Sequence, residues 1–104
     1  MVFDLSKVTG LGDYTKKTES LEGHDHPDHS RTLYYKGEKA FLVVNPHTLE
    51  LRCDSKLANL LKEKYESVME SRYFGKGGIE IVPAGQLDPE ELNDLVRLSY
   101  NLTN

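Results

Sequence analysis

The sequence predicts an α+β fold, in which two main helices pack on one face of an antiparallel sheet of about five strands. Three observations support this prediction. Segments rich in β-branched and aromatic residues are joined by short turns of the hairpin type. Two other segments repeat apolar residues at three- and four-residue intervals, and each follows an aspartate that suits a helix start. Because hairpins join strands of opposite direction, the sheet should be antiparallel.

Composition limits the class of protein. The chain has 104 residues, a net charge of −4 and a single cysteine. This length suits one hydrophobic core, and we expect residues 1–104 to form one domain with a partly irregular segment at 1–30. The apolar stretch at the N-terminus is too short for a signal peptide, and no apolar run approaches the roughly 18 residues of a membrane span. Since one cysteine cannot form an intramolecular disulfide, we expect a cytoplasmic protein.

The first strands follow a weakly patterned start. Residues 1–23 are interrupted by glycines, so we expect at most short helical turns near residues 3–8 and 14–21. Residues 31–36 and 39–45 should form a hairpin across Gly37-Glu38. An Asn45-Pro46 turn then leads into a strand at 48–53, with Leu49, Leu51 and Cys53 inward and Thr48, Glu50 and Arg52 on a wet face. Buried in this way, the Cys53 thiol is a small hydrophobe rather than a nucleophile.

Helix signals dominate the second half of the chain. Asp54 should cap a helix that extends to about residue 67, and Asp88 should cap another, with Pro89 at its first position and Glu91 completing a capping box. Between them we expect a second hairpin, with strands at 68–74 and 79–82 and a turn at the glycine-rich residues 75–78. Ile79 and Ile81 should face inward and Glu80 outward. The predicted buried stripes of the two helices are Leu57, Leu60, Leu61, Tyr65 and Val68, and Leu92, Leu95, Val96, Ser99 and Leu102.

The segments LRCDSKLANLLKEKY, SRYFGKGGIEIV and LDPEELNDLVRLSYNL together resemble the second half of the MmcQ/YjbR family of small bacterial proteins. RTLYYKGEKAFLVV also resembles the early strand pair of that family, with Gly37 and Lys39 at the matching positions. The resemblance covers about residues 31–102, and the start of the chain diverges from it. It implies a two-layer sandwich with a CyaY/frataxin-like fold. It also implies DNA binding, which has been proposed for the family through a double wing of two projecting hairpins.

Charge is distributed in a way that fits such a wing. Residues 31–76 contain nine basic and six acidic residues, a net +3, whereas both ends of the chain are acidic. Cations flank both predicted hairpin turns, and aromatic side chains beside them offer platforms for bases. The candidate residues are Lys36, Lys39, Arg72, Lys76, Tyr35 and Tyr73. Lysines at hairpin turns also improve solubility and prevent edge pairing, so this alternative stays open.

Other functions have weaker sequence support. His24, His26 and His29 are a candidate metal site, since imidazoles can converge on a transition ion from a short loop. A flexible polar loop is the alternative, and frataxin-like metal handling would use acidic and histidine side chains near the N-terminus. Residues 75–78 lack the spacing of a phosphate-binding loop, and no catalytic motif is present, so we expect a non-enzyme without a cofactor. A protein-interaction module that uses the exposed sheet face is the remaining rival, and we expect a monomer that does not bind membranes.

Overall fold

The computed structural model describes residues 3, 5–20, 30–82 and 87–103, and the strands in these ranges form one antiparallel sheet. Its six strands are β1 (Thr15–Ser20), β2 (Ser30–Lys36), β3 (Lys39–Val44), β4 (Leu49–Arg52), β5 (Val68–Ser71) and β6 (Gly75–Ile81), in the order β1-β2-β3-β4-β6-β5. The helices are α1 (Ser55–Lys64) and α2 (Pro89–Leu102), together with a short 3-10 helix at Leu5–Lys7. The predicted α+β class is confirmed, with six strands in place of about five.

The additional strand is β1, in a segment where a helical turn near residues 14–21 was predicted. That prediction was wrong. β1 pairs with β2 from Thr15 opposite Tyr35 to Ser20 opposite Ser30, and most of its side chains are exposed. Because this edge strand is held by hydrogen bonds to its neighbour, its own sequence carries little apolar pattern. The helical turn predicted near residues 3–8 is confirmed by the 3-10 helix.

Both helices cover the same face of the sheet, which we call the helical face. On β4 and β6, Leu49 lies opposite Ile81 and Leu51 lies opposite Ile79, and all four are fully buried. They share one core with apolar residues of α1 and α2. The predicted inward positions of these four side chains are therefore confirmed. None of the helices in the described ranges has the length and hydropathy that a membrane crossing requires.

The helix starts are also confirmed. The Asp54 carboxylate accepts hydrogen bonds from the backbone N–H groups of Lys56 and Leu57, and the Asp88 carboxylate accepts one from Glu91. These capping bonds satisfy backbone donors that have no partner within the helix. The other half of the capping box is replaced, because the Glu91 side chain accepts a hydrogen bond from the Tyr65 hydroxyl at 2.9 Å.

The predicted buried stripes need three corrections. Helix α1 ends at Lys64 rather than near residue 67, so Val68 is buried from β5 and not from the helix. Leu60 is 63% exposed and Leu102 is 43% exposed, although both were predicted to be buried. Both lie on the solvent side of their helices, because a helix that packs on a sheet buries a narrower stripe than its apolar residues suggest.

Ser99 joins α2 to the sheet. Its hydroxyl donates to the carbonyl oxygen of Phe41 on β3 at 2.5 Å and accepts from the backbone N–H of Arg52 on β4 at 2.8 Å. The Phe41 ring meets the Tyr100 ring edge-on, with centroids 5.0 Å apart. One fully buried polar side chain therefore satisfies backbone groups of two strands and fixes the position of the helix above them.

The second hairpin turns at residues 72–74, and not at the predicted residues 75–78. Gly75, with φ of 64°, starts β6, and the following glycines belong to that strand. At Gly78 an added Cβ would lie 2.4 Å from the carbonyl oxygen of Leu51 and 2.6 Å from the Phe74 Cβ. This glycine is therefore required because backbone and side chain approach it closely, and not because it forms a turn.

We predict that Gly78→Ala destabilises the fold by about 1–3 kcal/mol, because a methyl group has no room beside Leu51 and Phe74. Gly77→Ala is the matched control, since its Cβ would meet nothing closer than 3.7 Å. The free energies of unfolding in urea measure both changes. Equal stability of the two variants would contradict the close approach at Gly78.

Candidate functional site

Two glutamates lie side by side on the face of the sheet opposite the helices, which we call the open face. Glu50 on β4 is directly opposite Glu80 on β6, and alternation along each strand turns both away from the helical face. Each is only 2% exposed. Glu50 was predicted on a wet face and Glu80 to point outward. The predicted face of the sheet is correct for both residues, but their predicted exposure to solvent was wrong. Since adjacent like charges destabilise a sheet, such a pair needs compensating donors.

Glu50 receives three hydrogen bonds. Its Oε1 accepts from the Ser71 hydroxyl and from the backbone N–H of Tyr73, both at 2.8 Å, and its Oε2 accepts from Asn45 Nδ2 at 2.8 Å. Two of these donors belong to the end of β5 and the turn at residues 72–74. The carboxylate therefore ties this turn, which we call the 72–74 turn, to the middle of the sheet.

Glu80 is held by charge as well as by hydrogen bonds. Arg72 donates from Nε and Nη2 to the two carboxylate oxygens at 3.0 and 2.8 Å, and the Thr48 hydroxyl donates at 2.8 Å. Burial alone would raise the pKa of Glu80, but the hydrogen bonds from Arg72 and Thr48 and the charge of Arg72 outweigh it, so this pKa lies below its ordinary value. Asn45 Nδ2 also donates to the Thr48 hydroxyl at 3.0 Å, which joins both glutamates in one network.

The 72–74 turn folds across the open face. From the β5–β6 edge it brings Tyr73 beside Arg31 of β2, with the guanidinium 5.4 Å from the ring centroid. Phe74 stands edge-on to Tyr73 at 4.9 Å and lies beneath the guanidinium of Arg52 at 5.0 Å. Two adjacent aromatic rings thus lie between two guanidinium groups over the sheet. The rival prediction, a protein partner on the exposed sheet face, stays a prediction, and Glu50 and Glu80 at the centre of the open face are buried.

A cavity of about 300 Å³ lies beside the turn. It is lined by Arg31, Asn45, Glu50, Arg72 and Tyr73. Its walls carry two guanidinium groups and a phenol ring, and its floor carries the buried carboxylate and an amide. Arg72 is 77% exposed although Glu80 binds its Nε and Nη2, so much of its guanidinium faces solvent. The cavity therefore offers cationic, aromatic and acceptor groups to one ligand.

Lys36, one of the two cations at the first hairpin, makes contacts within the fold. Lys36 donates from Nζ to the carbonyl oxygen of Tyr100 at 3.2 Å and lies 4.4 Å from the centroid of that ring. An ammonium group at the C-terminal end of α2 complements the helix dipole. Lys39 is exposed across the same turn, and Tyr35 is half-buried. The predicted turn at Gly37-Glu38 is confirmed, with Gly37 at φ of 66°.

The candidate residues of the second hairpin line two different cavities. Tyr73 is 41% exposed beside the cavity described above. Lys76 is exposed on β6 and lines a different cavity of about 230 Å³ with residues of α1, among them Asn59 and Lys62. Arg72 and Lys76 thus do not share one surface pocket.

The remaining candidates add no site among the described residues. His24, His26 and His29 lie outside them, so the metal prediction stays a prediction. In the ranges that the structure describes, no three His, Cys, Asp or Glu side chains are arranged to hold a metal ion. Cys53 is buried as predicted, and burial together with the charge of Asp54 raises the pKa of its thiol to about 11, opposite to what a nucleophilic thiolate needs.

Sequence reasoning missed Glu50, Glu80, Asn45 and Arg31. A signal for the glutamates was present, because each stands between two aliphatic residues in a strand, in LEL and in IEI. A carboxylate in such a setting is either at a solvated face or supplied with donors, and the sequence alone does not separate these cases. The donors come from positions 45, 48 and 71–73, which only the folded chain brings together.

The fold and the site define a two-layer α+β protein with a buried polar network on its open face. No family model matches this chain, and neither a curated protein nor a solved structure shows a significant match to it. The resemblance to the MmcQ/YjbR family therefore stays a prediction.

We predict that Glu80→Gln lowers stability at neutral pH by about 1–3 kcal/mol, because charge-assisted hydrogen bonds are lost. Since the pKa of Glu80 is depressed in the folded state, its contribution is complete above the pKa of the unfolded chain and disappears as pH falls through the folded value. Stability of the variant should therefore fall less steeply than that of the wild type between about pH 5 and pH 3.

Urea unfolding at a series of pH values measures this difference. Glu63→Gln, at an exposed position of α1, is the control and should keep the wild-type profile. An unchanged profile in Glu80→Gln would show that the carboxylate is not linked to the stability of the 72–74 turn.

Proposed function

We propose that this protein binds nucleic acid through the end of the sheet at which its two hairpin turns lie. The observation that supports this proposal is the strand order. Since β3 and β6 both pair antiparallel with β4, the turn between β2 and β3 and the turn between β5 and β6 lie at the same end. Exposed cations accompany both turns, namely Lys39, Arg72 and Lys76.

The spacing of the two turns suits a duplex. Lys39 on β3 and Lys76 on β6 flank β4, so their strands are about 10 Å apart, twice the interval between neighbouring strands. The major groove of B-DNA is about 12 Å wide. Side chains that start this far apart reach phosphates on either side of a groove. Such contacts position a protein on DNA without reading its sequence.

Net charge sets the character of this binding. The chain as a whole carries −4, so phosphates are attracted only locally, at the basic central part of the chain. Lys36 takes no part in the proposal, because its ammonium group is bound to the end of α2. We therefore expect weak binding with low sequence preference. Removing only a few of these cations should then reduce the affinity for nucleic acid strongly.

We predict that Lys39→Glu/Lys76→Glu weakens binding of a random 16-base-pair duplex at least tenfold at low salt. Each phosphate contact contributes about 0.9 to the slope of log K against log salt concentration, so the double variant should lose about two units of that slope. Fluorescence anisotropy with a labelled duplex, at salt concentrations from roughly 50 to 200 mM, measures both quantities.

The control is Lys7→Glu/Lys64→Glu, which changes the net charge equally at exposed positions of the 3-10 helix and of the last turn of α1. It should reduce affinity much less than the hairpin variant. Equal loss in both variants would indicate attraction by net charge alone, and no binding of the wild type at low salt would refute the proposal.

A further inference from the structure

We infer that the cavity lined by Arg31, Asn45, Glu50, Arg72 and Tyr73 binds one unpaired nucleotide whose base carries an exocyclic amino group. The nucleotide is either free or part of a strand. In the second case the inference rests on the proposed function and specifies it, because it assigns the protein to nucleic acid with unpaired positions. Three features of the cavity support the inference.

The first feature is cationic. Arg31 and Arg72 line the same cavity on the open face, one from β2 and one from the 72–74 turn. Glu19 binds Nε and Nη2 of Arg31, and Glu80 binds the same two atoms of Arg72. A guanidinium has five N–H groups, so these ion pairs orient both arginines without using all their donors. Phosphate oxygens are acceptors that guanidinium N–H groups bind well.

The second feature is a pair of planar groups, the Tyr73 ring and the guanidinium beside it. Tyr73 is 41% exposed, and its ring already lies against a guanidinium plane. Unpaired bases stack on tyrosine rings and on arginine planes, and both surfaces are present at this cavity. A duplex cannot use them, because its bases are stacked on one another. An unpaired base, in contrast, can enter the cavity and stack on these planes.

The third feature is the acceptor at the floor. A carboxylate accepts about four hydrogen bonds. Of the described residues, Ser71, Tyr73 and Asn45 provide three hydrogen bonds to Glu50, so within the described part of the chain this carboxylate can accept one further donor. The exocyclic amino group of cytosine is a suitable donor for a glutamate. Thymine carries a carbonyl oxygen at the position of the cytosine amino group, so it cannot donate from there. The cavity volume of about 300 Å³ is at the lower limit of small-molecule sites and suits a single nucleotide.

The test compares three labelled duplexes at one salt concentration: a fully paired duplex, the same duplex with one bulged cytosine, and the same duplex with one bulged thymine. We expect the cytosine bulge to bind about tenfold more tightly than the other two, which corresponds to about 1.4 kcal/mol. Tyr73→Ala should remove this difference, and Tyr73→Phe, which keeps the ring, should retain it. Amide NMR spectra of both variants verify that they are folded.

Equal affinity for all three duplexes would overturn binding of a nucleotide that is part of a strand, while leaving the proposed function intact. Equal affinity for the thymine and cytosine bulges would overturn the role assigned to the Glu50 carboxylate. A titration with cytidine monophosphate separates the two sources of the ligand. Amide shifts at Asn45, Glu50 and Tyr73 without binding of any duplex would support the cavity as a site for free nucleotides and refute the proposed function. Absence of shifts together with equal duplex affinities would refute the cavity site.

Discussion

Two buried glutamates on neighbouring strands are the constraint on which the open face of this protein depends. Glu50 and Glu80 lie opposite one another, where two like charges would repel if they were left without donors. The donors come from two separate segments: the end of β5 with the 72–74 turn, which includes Arg72, and the loop before β4. The chain can bury both carboxylates only when both segments are in place. The network therefore specifies one arrangement of the 72–74 turn.

The two faces of the sheet are consequently stabilised by different interactions. The helical face buries aliphatic side chains under α1 and α2, and these contacts tolerate substitution of one apolar residue by another. The open face depends on directed hydrogen bonds and on arginine–aromatic contacts, which tolerate little change. Arg31 and Arg52 hold the rings of the turn, and Arg31 also lines the cavity beside it. The contacts that fix the turn and the proposed binding site therefore lie on the same face.

The candidate site was predictable in part. Residue type and position identified Lys39, Lys76, Arg72 and Tyr73 as exposed groups near hairpin turns, because turns lie at the surface. Lys36 has the same local pattern, yet its ammonium group binds the end of α2, which is distant in sequence. No local signal separates a lysine that faces solvent from one that caps a helix 64 residues away. The cavity was not predictable at all, since its lining residues come from four separate segments of the chain.

The sequence by itself determined the α+β class, the starts of both helices at Asp54 and Asp88, and the hairpin at Gly37, because these features depend on residues within a few positions of one another. Tertiary structure alone decided that residues 15–20 form a strand and that Gly78 lies within one. It also decided that Glu50 and Glu80 are buried. In each case the decisive contact is to a segment far away in the sequence: the edge of β2, the backbone of Leu51, and the donors of the 72–74 turn. Pairing and burial depend on such partners, whereas caps and turns do not.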